Sequence, residues 1–404
     1  MQHMVYQGQL ARPQAGADGL LDAQGAAALC AEAWRIAQGG AAAVDADSLQ
    51  LRRLHGPAPG VGAPVRATLD AGAPGGGCQL LLHGPGAPAW AATLQVDAGL
   101  PPLPGLPAPA EGLPPLQLLR HMGPARCDQA GHVNVQVFLD LADEAVAALG
   151  HSLAPGAPRP QITGARILFK AELFAGDVMA VHSGVRAADA GGADLVQAIV
   201  RQPAGAAAGQ AGQLACLLET RVSALGADGQ PAALPWGAAA LPAQPWPALP
   251  PARPLAEPRA AARPGASARA TAMTVVDAWD ACADGWLQPR ALLNLCSTGA
   301  RQFLAQAGLD GRRMAADQIT VAAVDYAIAL HRRPRLGQNL TLRSAPLSVS
   351  AKAVRFAHHL VDSDDGTLQA TVEIVGVMLD LRSHRAGEVP ADVRHRLQAW
   401  LAEA

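Results

Sequence analysis

Residues 128–150 read DQAGHVNVQVFLDLADEAVAALG, and the order of residue types along that stretch decides the fold. Asp128 and Gly131 mark a turn, and Asn134 stands where a helix would open. From there Val135, Phe138, Leu139, Ala142, Val146 and Leu149 recur at steps of three and four, laying one apolar stripe along a helix that Gly150 is expected to close. A short extended run at 116–120 precedes the turn. Four extended segments follow, at 161–169, 177–185, 193–201 and 213–223, each rich in Val, Ile or Leu and bounded by Gly or Asp turns. One helix followed by an antiparallel meander can bury its stripe in the concave face of a curved sheet, which predicts an α+β architecture.

The same order recurs on both sides. Downstream, extended segments are expected at 319–330, 339–349, 351–362 and 368–381, with an Asp364-Asp365-Gly366 hairpin turn and a final amphipathic helix over 390–402. Upstream they are expected at 48–54, 64–69, 78–83 and 90–96. At an offset of 266, Ala17-Asp18-Gly19-Leu20-Leu21 faces Ala283-Asp284-Gly285-Trp286-Leu287, Leu29-Cys30 faces Leu295-Cys296, and Arg35 faces Arg301. Two stretches too dense in proline for a helix separate the blocks, at 98–114 and 226–266. Three domains are therefore expected, at 1–97, 115–225 and 267–404, joined by Pro/Ala-rich linkers.

Composition narrows the function. Of 404 residues, 31 are Lys or Arg and 33 Asp or Glu, so no excess of positive charge points to nucleic acid. Aromatic residues make up only 3%, against 42 Gly and 33 Pro, so the cores should be lean. Cys30, Cys78, Cys127, Cys216, Cys282 and Cys296 form no CxxC pair and no zinc-ligand spacing, so no metal is expected and a reduced, cytoplasmic protein fits best. The opening MQHMVYQGQL lacks the pattern of a secretory signal, and no apolar run reaches the roughly 18–20 residues of a membrane span.

Asp128-Gln129-Ala130-Gly131-His132-Val133-Asn134, with Leu173-Phe174-Ala175-Gly176-Asp177 at the hairpin after the next strand, resembles the hotdog-fold acyl-CoA thioesterases of the 4-hydroxybenzoyl-CoA thioesterase type. That resemblance implies three tandem hotdog domains, each a long helix wrapped by a curved antiparallel sheet, and an acyl-CoA substrate. It implies no cofactor. The last block resembles the fold through Leu336-Gly337-Gln338-Asn339-Leu340 but lacks the signature: with Gly285 set on Gly131, Cys282 stands at Asp128, Trp286 at His132 and Gln288 at Asn134. Phe138 falls where many relatives carry Tyr.

Thioester hydrolysis requires a donor where the oxyanion develops and a carboxylate that attacks or activates water. The turn through Gly131 is expected to aim the amides around His132 and Val133 at a substrate carbonyl, aided by the helix dipole. Asp128 is either that carboxylate, which the resemblance makes nucleophile or general base, or a turn aspartate. His132 orients the thioester or Asp128, or packs; Asn134 assists catalysis or caps the helix. Asp18 and Asp284 read as turn residues, and Cys30 and Cys296 as core. Arg332 and Arg333 grip coenzyme A phosphates, or sit on a solvated hairpin tip. A non-catalytic acyl-CoA-binding scaffold and a hotdog hydratase or dehydratase compete with the thioesterase reading. Three blocks cannot all pair within one chain, so a homodimer or larger even-numbered homo-oligomer is expected.

Overall fold

The computed structural model describes residues 2–9, 21, 23–37, 49–53, 64–70, 78–84, 88–94, 116–128, 131–154, 157–202, 212–234, 268–282, 284–383 and 385–403. Asp18, the 98–114 linker and residues 235–266 of the second linker lie outside them. Two compact units emerge, the first drawn from residues 1–161 and 170–217, the second from 162–169, 218–234 and 249–404.

The first unit opens with β1 (Gln2–Gln9), α1 (Ala23–Ala37), β2 (Leu49–Arg53), β3 (Pro64–Asp70), β4 (Cys78–His83) and β5 (Pro88–Leu94). Antiparallel pairing sets the order β1-β3-β4-β5-β2. Leu29, Cys30, Ala33 and Trp34 of α1 pack with Val65, Ala67, Leu80 and Leu82. Alternate residues of β3 and β4 thus face the helix, as a half-buried sheet requires. A fully buried leucine such as Leu29 contributes roughly 2 kcal/mol relative to exposure.

Next come β6 (Leu116–His121), a 3-10 turn (Pro124–Arg126), α2 (Val135–Leu153), β7 (Gln161–Phe169), β8 (Val178–Asp189), β9 (Gly192–Gln202) and β10 (Gln213–Leu225). Helix α2 runs past Gly150, whose carbonyl instead accepts from the Ala154 amide at the C-cap. β8 pairs with β6 and β9, and Leu119, Val178, Ala180 and Val200 join the core of the opening block. β1 also meets β6, at Gln7 and Leu119. Arg120 is buried there, its guanidinium 2.6 Å from Glu144 of α2 and 3.9 Å from Glu32 of α1. Burial raises the Glu32 pKa, and the Arg120 and Arg126 charges oppose that rise.

The second unit holds β7, the end of β10, β11 (Pro231–Ala232), β12 (Arg269–Val275), α3 (Pro289–Gln306), α4 (Gly311–Asp317), β13 (Ile319–Leu330), β14 (Asn339–Val349), β15 (Ala353–Asp362), β16 (Leu368–Asp380), β17 (Arg385–Ala386) and α5 (Ala391–Ala402). Its antiparallel order is β12-β14-β15-β16-β13-β7. Pro289 stands in the first turn of α3, where its missing N–H costs nothing. Phe303 of α3 stacks on Phe356 with centroids 4.6 Å apart and meets Trp400 of α5 at 5.1 Å, so the final helix closes this core. Residues 226–232, expected to begin a linker, instead turn at Gly229 and pair β11 with the end of β10.

Candidate active site

The turn before α2 is fixed by its own backbone. The Asp128 amide donates to the His132 carbonyl at 2.8 Å, the Gly131 amide returns to the Asp128 carbonyl at 3.0 Å, and Asn134 N–H reaches Arg126 O at 3.0 Å. Gly131 has φ +82°, a left-handed conformation that a side chain disfavours. The hairpin after β7 locks on: Val133 N–H donates to Leu173 O, Ala175 N–H to Gly131 O, and Gly176 N–H to Met122 O.

On this frame the Asp128 side chain is 48% exposed and His132 is 40% exposed. One Asp128 oxygen accepts from the His132 amide at 3.0 Å; the other lies 4.0 Å from Nδ1 of the imidazole. Nε2 of His132 faces Glu172 at 3.8 Å, and the ring meets Phe174 edge-on at 5.0 Å. Arg201 backs this wall, with its guanidinium 5.5 Å from the Phe174 centroid and donating to the Glu172 carbonyl. Carboxylate, imidazole and a second carboxylate thus stand in a row at the mouth of α2. Glu172 was not singled out from the sequence, although it directly precedes the quoted hairpin residues Leu173–Asp177. Its pairing with His132 depends on the turn geometry and has no sequence signal of its own.

Two expectations change. The amides of His132 and Val133 are committed to Asp128 Oδ1 and Leu173 O, so neither is open to a substrate carbonyl. Asn134 is the N-cap residue, but its side chain donates to Arg126 O at 3.4 Å and caps no amide. The first-turn amides of Val135 and Gln136 consequently find no acceptor among the described residues, and they are the donors this helix end presents. Burial, then the Asp128 and Asp177 charges, raise the thiol pKa of the neighbouring Cys127.

The second unit repeats this backbone bond for bond. Cys282 N–H donates to Trp286 O at 2.8 Å, Gly285 N–H to Cys282 O at 2.9 Å, Gln288 N–H to Asp280 O at 2.7 Å, Leu287 N–H to Pro334 O and Leu336 N–H to Gly285 O. Gly285 has the same φ of +82°. The side chains differ: Cys282 stands at the place of Asp128, and Trp286 at that of His132. The Trp286 ring carries the Arg335 guanidinium 4.0 Å from its centroid, and the Gly229 turn packs against it. Arg333 stands where Glu172 does, 3% exposed, with Nε donating to Leu287 O at 2.8 Å; burial removes it from a hairpin tip and from an incoming phosphate. Arg332 is half-buried. Cys30 and Cys296 are fully buried, and burial pushes the Cys30 thiol up to about 12 and the Cys296 thiol higher still.

The model of the thioesterase-like superfamily matches residues 122–247 and 276–397, more than half of the chain. The chain belongs to the thioesterase-like superfamily. The two matches include both helices and both glycine turns, α2 with Gly131 and α3 with Gly285. Among solved structures, an acyl-ACP thioesterase from Bacteroides thetaiotaomicron is similar at 12% identity, covering 64% of this chain and 96% of its own, with a TM-score of 0.45. The 12:0-ACP thioesterase from Umbellularia californica is 8% identical over 64% of this chain and 92% of its own, with a TM-score of 0.43. A hypothetical protein from Staphylococcus aureus in complex with CoA is 14% identical, covering 34% of this chain and 86% of its own, with a TM-score of 0.32. A comparison with curated proteins gave no match. Among the described residues no helix is long and apolar enough to cross a membrane, and no three His, Cys, Asp or Glu side chains gather as metal ligands.

Proposed function

We propose that this thioesterase-superfamily chain hydrolyses an acyl-CoA thioester to free acid and coenzyme A, with Asp128 as nucleophile or general base. The observation that carries the reading is the half-exposed Asp128 carboxylate held beside His132 at the N-terminal end of α2. His132 orients Asp128 or the thioester, Gly131 and Val133 shape the turn, and the α2 dipole with the Val135 and Gln136 amides polarises the carbonyl. Asn134 acts by fixing the turn to Arg126. Of the two arginines expected at coenzyme A phosphates, only Arg332 keeps that role. The finer reading of three tandem hotdog domains in an even-numbered, cytoplasmic homo-oligomer belongs to the same proposal.

The conserved backbone without Asp or His at Cys282 and Trp286 favours a non-catalytic role for the last block, that of a supporting domain. Thiol release from a panel of short, medium, long and aromatic acyl-CoAs tests the whole. Turnover should fall by about 10²–10⁴ in Asp128→Asn and persist in Asp284→Asn. A panel on which the parent is silent, with acyl-CoA still bound, would leave only binding.

A further inference from the structure

Glu172 borders the Asp128 turn without a part in the chemistry assigned so far. Its carboxylate lies 3.8 Å from Nε2 of His132 and has no other partner among the described residues. Asp128, on the far side of the ring, already accepts the His132 amide at 3.0 Å and stands 4.0 Å from Nδ1. Of the two carboxylates, Glu172 has the stronger claim on the ring proton. The backbone holds both residues in place for it. His132 and Phe174 form an antiparallel bridge, and Val133 N–H donates to Leu173 O at 2.8 Å. Arg201, 3.9 Å from the buried Asp177, donates to the Glu172 carbonyl, and the Phe174 ring restrains the imidazole edge-on. An exposed pair of free side chains contributes little because both must be ordered; here much of that ordering is built in. In the last block Trp286 stands at the imidazole's place and Arg333 at that of Glu172, so the acid accompanies the imidazole and is absent without it.

We propose that Glu172 is a positioning residue for the thioester hydrolysis argued above, a reading on which this inference rests. It accepts the Nε2–H of His132 and so fixes the ring with Nδ1 as an acceptor facing Asp128. Which imidazole nitrogen carries the proton is set by the partner that its ring meets. Separations of 3.8 and 4.0 Å exceed hydrogen-bond length, as catalytic contacts often do until substrate is bound.

Two measurements test the role. In thiol release, Glu172→Ala should lower kcat by about tenfold and leave KM within about twofold, and in a His132→Ala background it should change kcat by less than about twofold, because Glu172 acts only through the ring. The Glu172 side chain is 68% exposed, so the variant should keep the parent's thermal midpoint. Nitrogen NMR of ring-labelled histidine at about pH 8, where an ordinary imidazole is neutral, reads the tautomer without any need of turnover. The His132 signals are those lost in His132→Ala. The parent should carry its proton on Nε2, and Glu172→Ala should shift it toward Nδ1, where Asp128 is the remaining carboxylate. A parent protonated on Nδ1, or a tautomer indifferent to Glu172→Ala, would overturn the inference while hydrolysis stands, as would an equal loss of kcat with and without His132. A parent silent on every acyl-CoA would instead overturn the hydrolysis reading, and with it the part of Glu172 in that reaction.

Discussion

Gly131 and Gly285 share a φ of +82°, and a Cβ at either would meet nothing within 4 Å, so an alanine there costs backbone strain without a clash. Each substitution should lower stability by about 1–2 kcal/mol, and thermal unfolding should show similar falls. Their effects on catalysis should part: Gly131→Ala displaces the Asp128 turn and should slow thiol release, whereas Gly285→Ala should not. His358 contributes to the pH dependence of stability. His358 is fully buried, with Nδ1 2.6 Å from Ser344 Oγ, which in turn lies 2.6 Å from Thr271 Oγ1. Burial first, then the neighbouring His359, lowers its pKa to about 3. The folded imidazole thus stays neutral where the unfolded one takes a proton near 6.5, so stability falls as pH drops through that window. Between pH 7.5 and 5.5 the parent should lose about 1.4 kcal/mol more than His358→Asn, measured by urea unfolding at both pH values. Equal losses would reject the assignment.

The elements show where sequence reading succeeds and where it stops. β7 and β13 fall on the expected 161–169 and 319–330 because alternation and turn residues fix strand edges locally. α4 was not expected: GRRMAAD has no apolar stripe, buries no residue, and is held by the Asp310 cap and by Arg313 reaching Asp392 far along the chain. The turn before α2 was readable as a motif, but the loss of its amides to Asp128 and Leu173 was not, since the hairpin carbonyl that takes Val133 lies forty residues downstream. The turn at Gly229 was likewise hidden inside a proline-rich run. It has φ +79°, and a Cβ there would lie 2.6 Å from Arg333 O and 2.9 Å from the Trp286 ring. Gly229→Ala should therefore cost about 2–3 kcal/mol, strain and overpacking together, read as a lower denaturant midpoint. A shift as small as that of Gly285→Ala would show that the turn does not clamp Trp286.

For the protein as a whole, open sheet edges are where a second chain can add. β6 and β12 hold equivalent places, each the strand before a central helix and each paired to the strand after the glycine hairpin, β8 or β14. β6 also meets β1 on its other side, at Gln7 and Leu119. β12 has no such second neighbour among the described residues, and its Met273 and Val275 are 74% and 50% exposed, close in sequence to Trp279 at 79%. An unprotected apolar edge invites a further strand. If the proposed even-numbered assembly forms there, the parent should sediment as a dimer or larger even oligomer at micromolar concentration, and Met273→Lys with Val275→Lys should shift it to monomer. Both side chains are already open to water, so the double variant should keep the parent's thermal midpoint to within a few degrees. A parent that sediments only as monomer would reject even-numbered assembly outright, and a dimer untouched by both lysines would place its contact elsewhere on the chain.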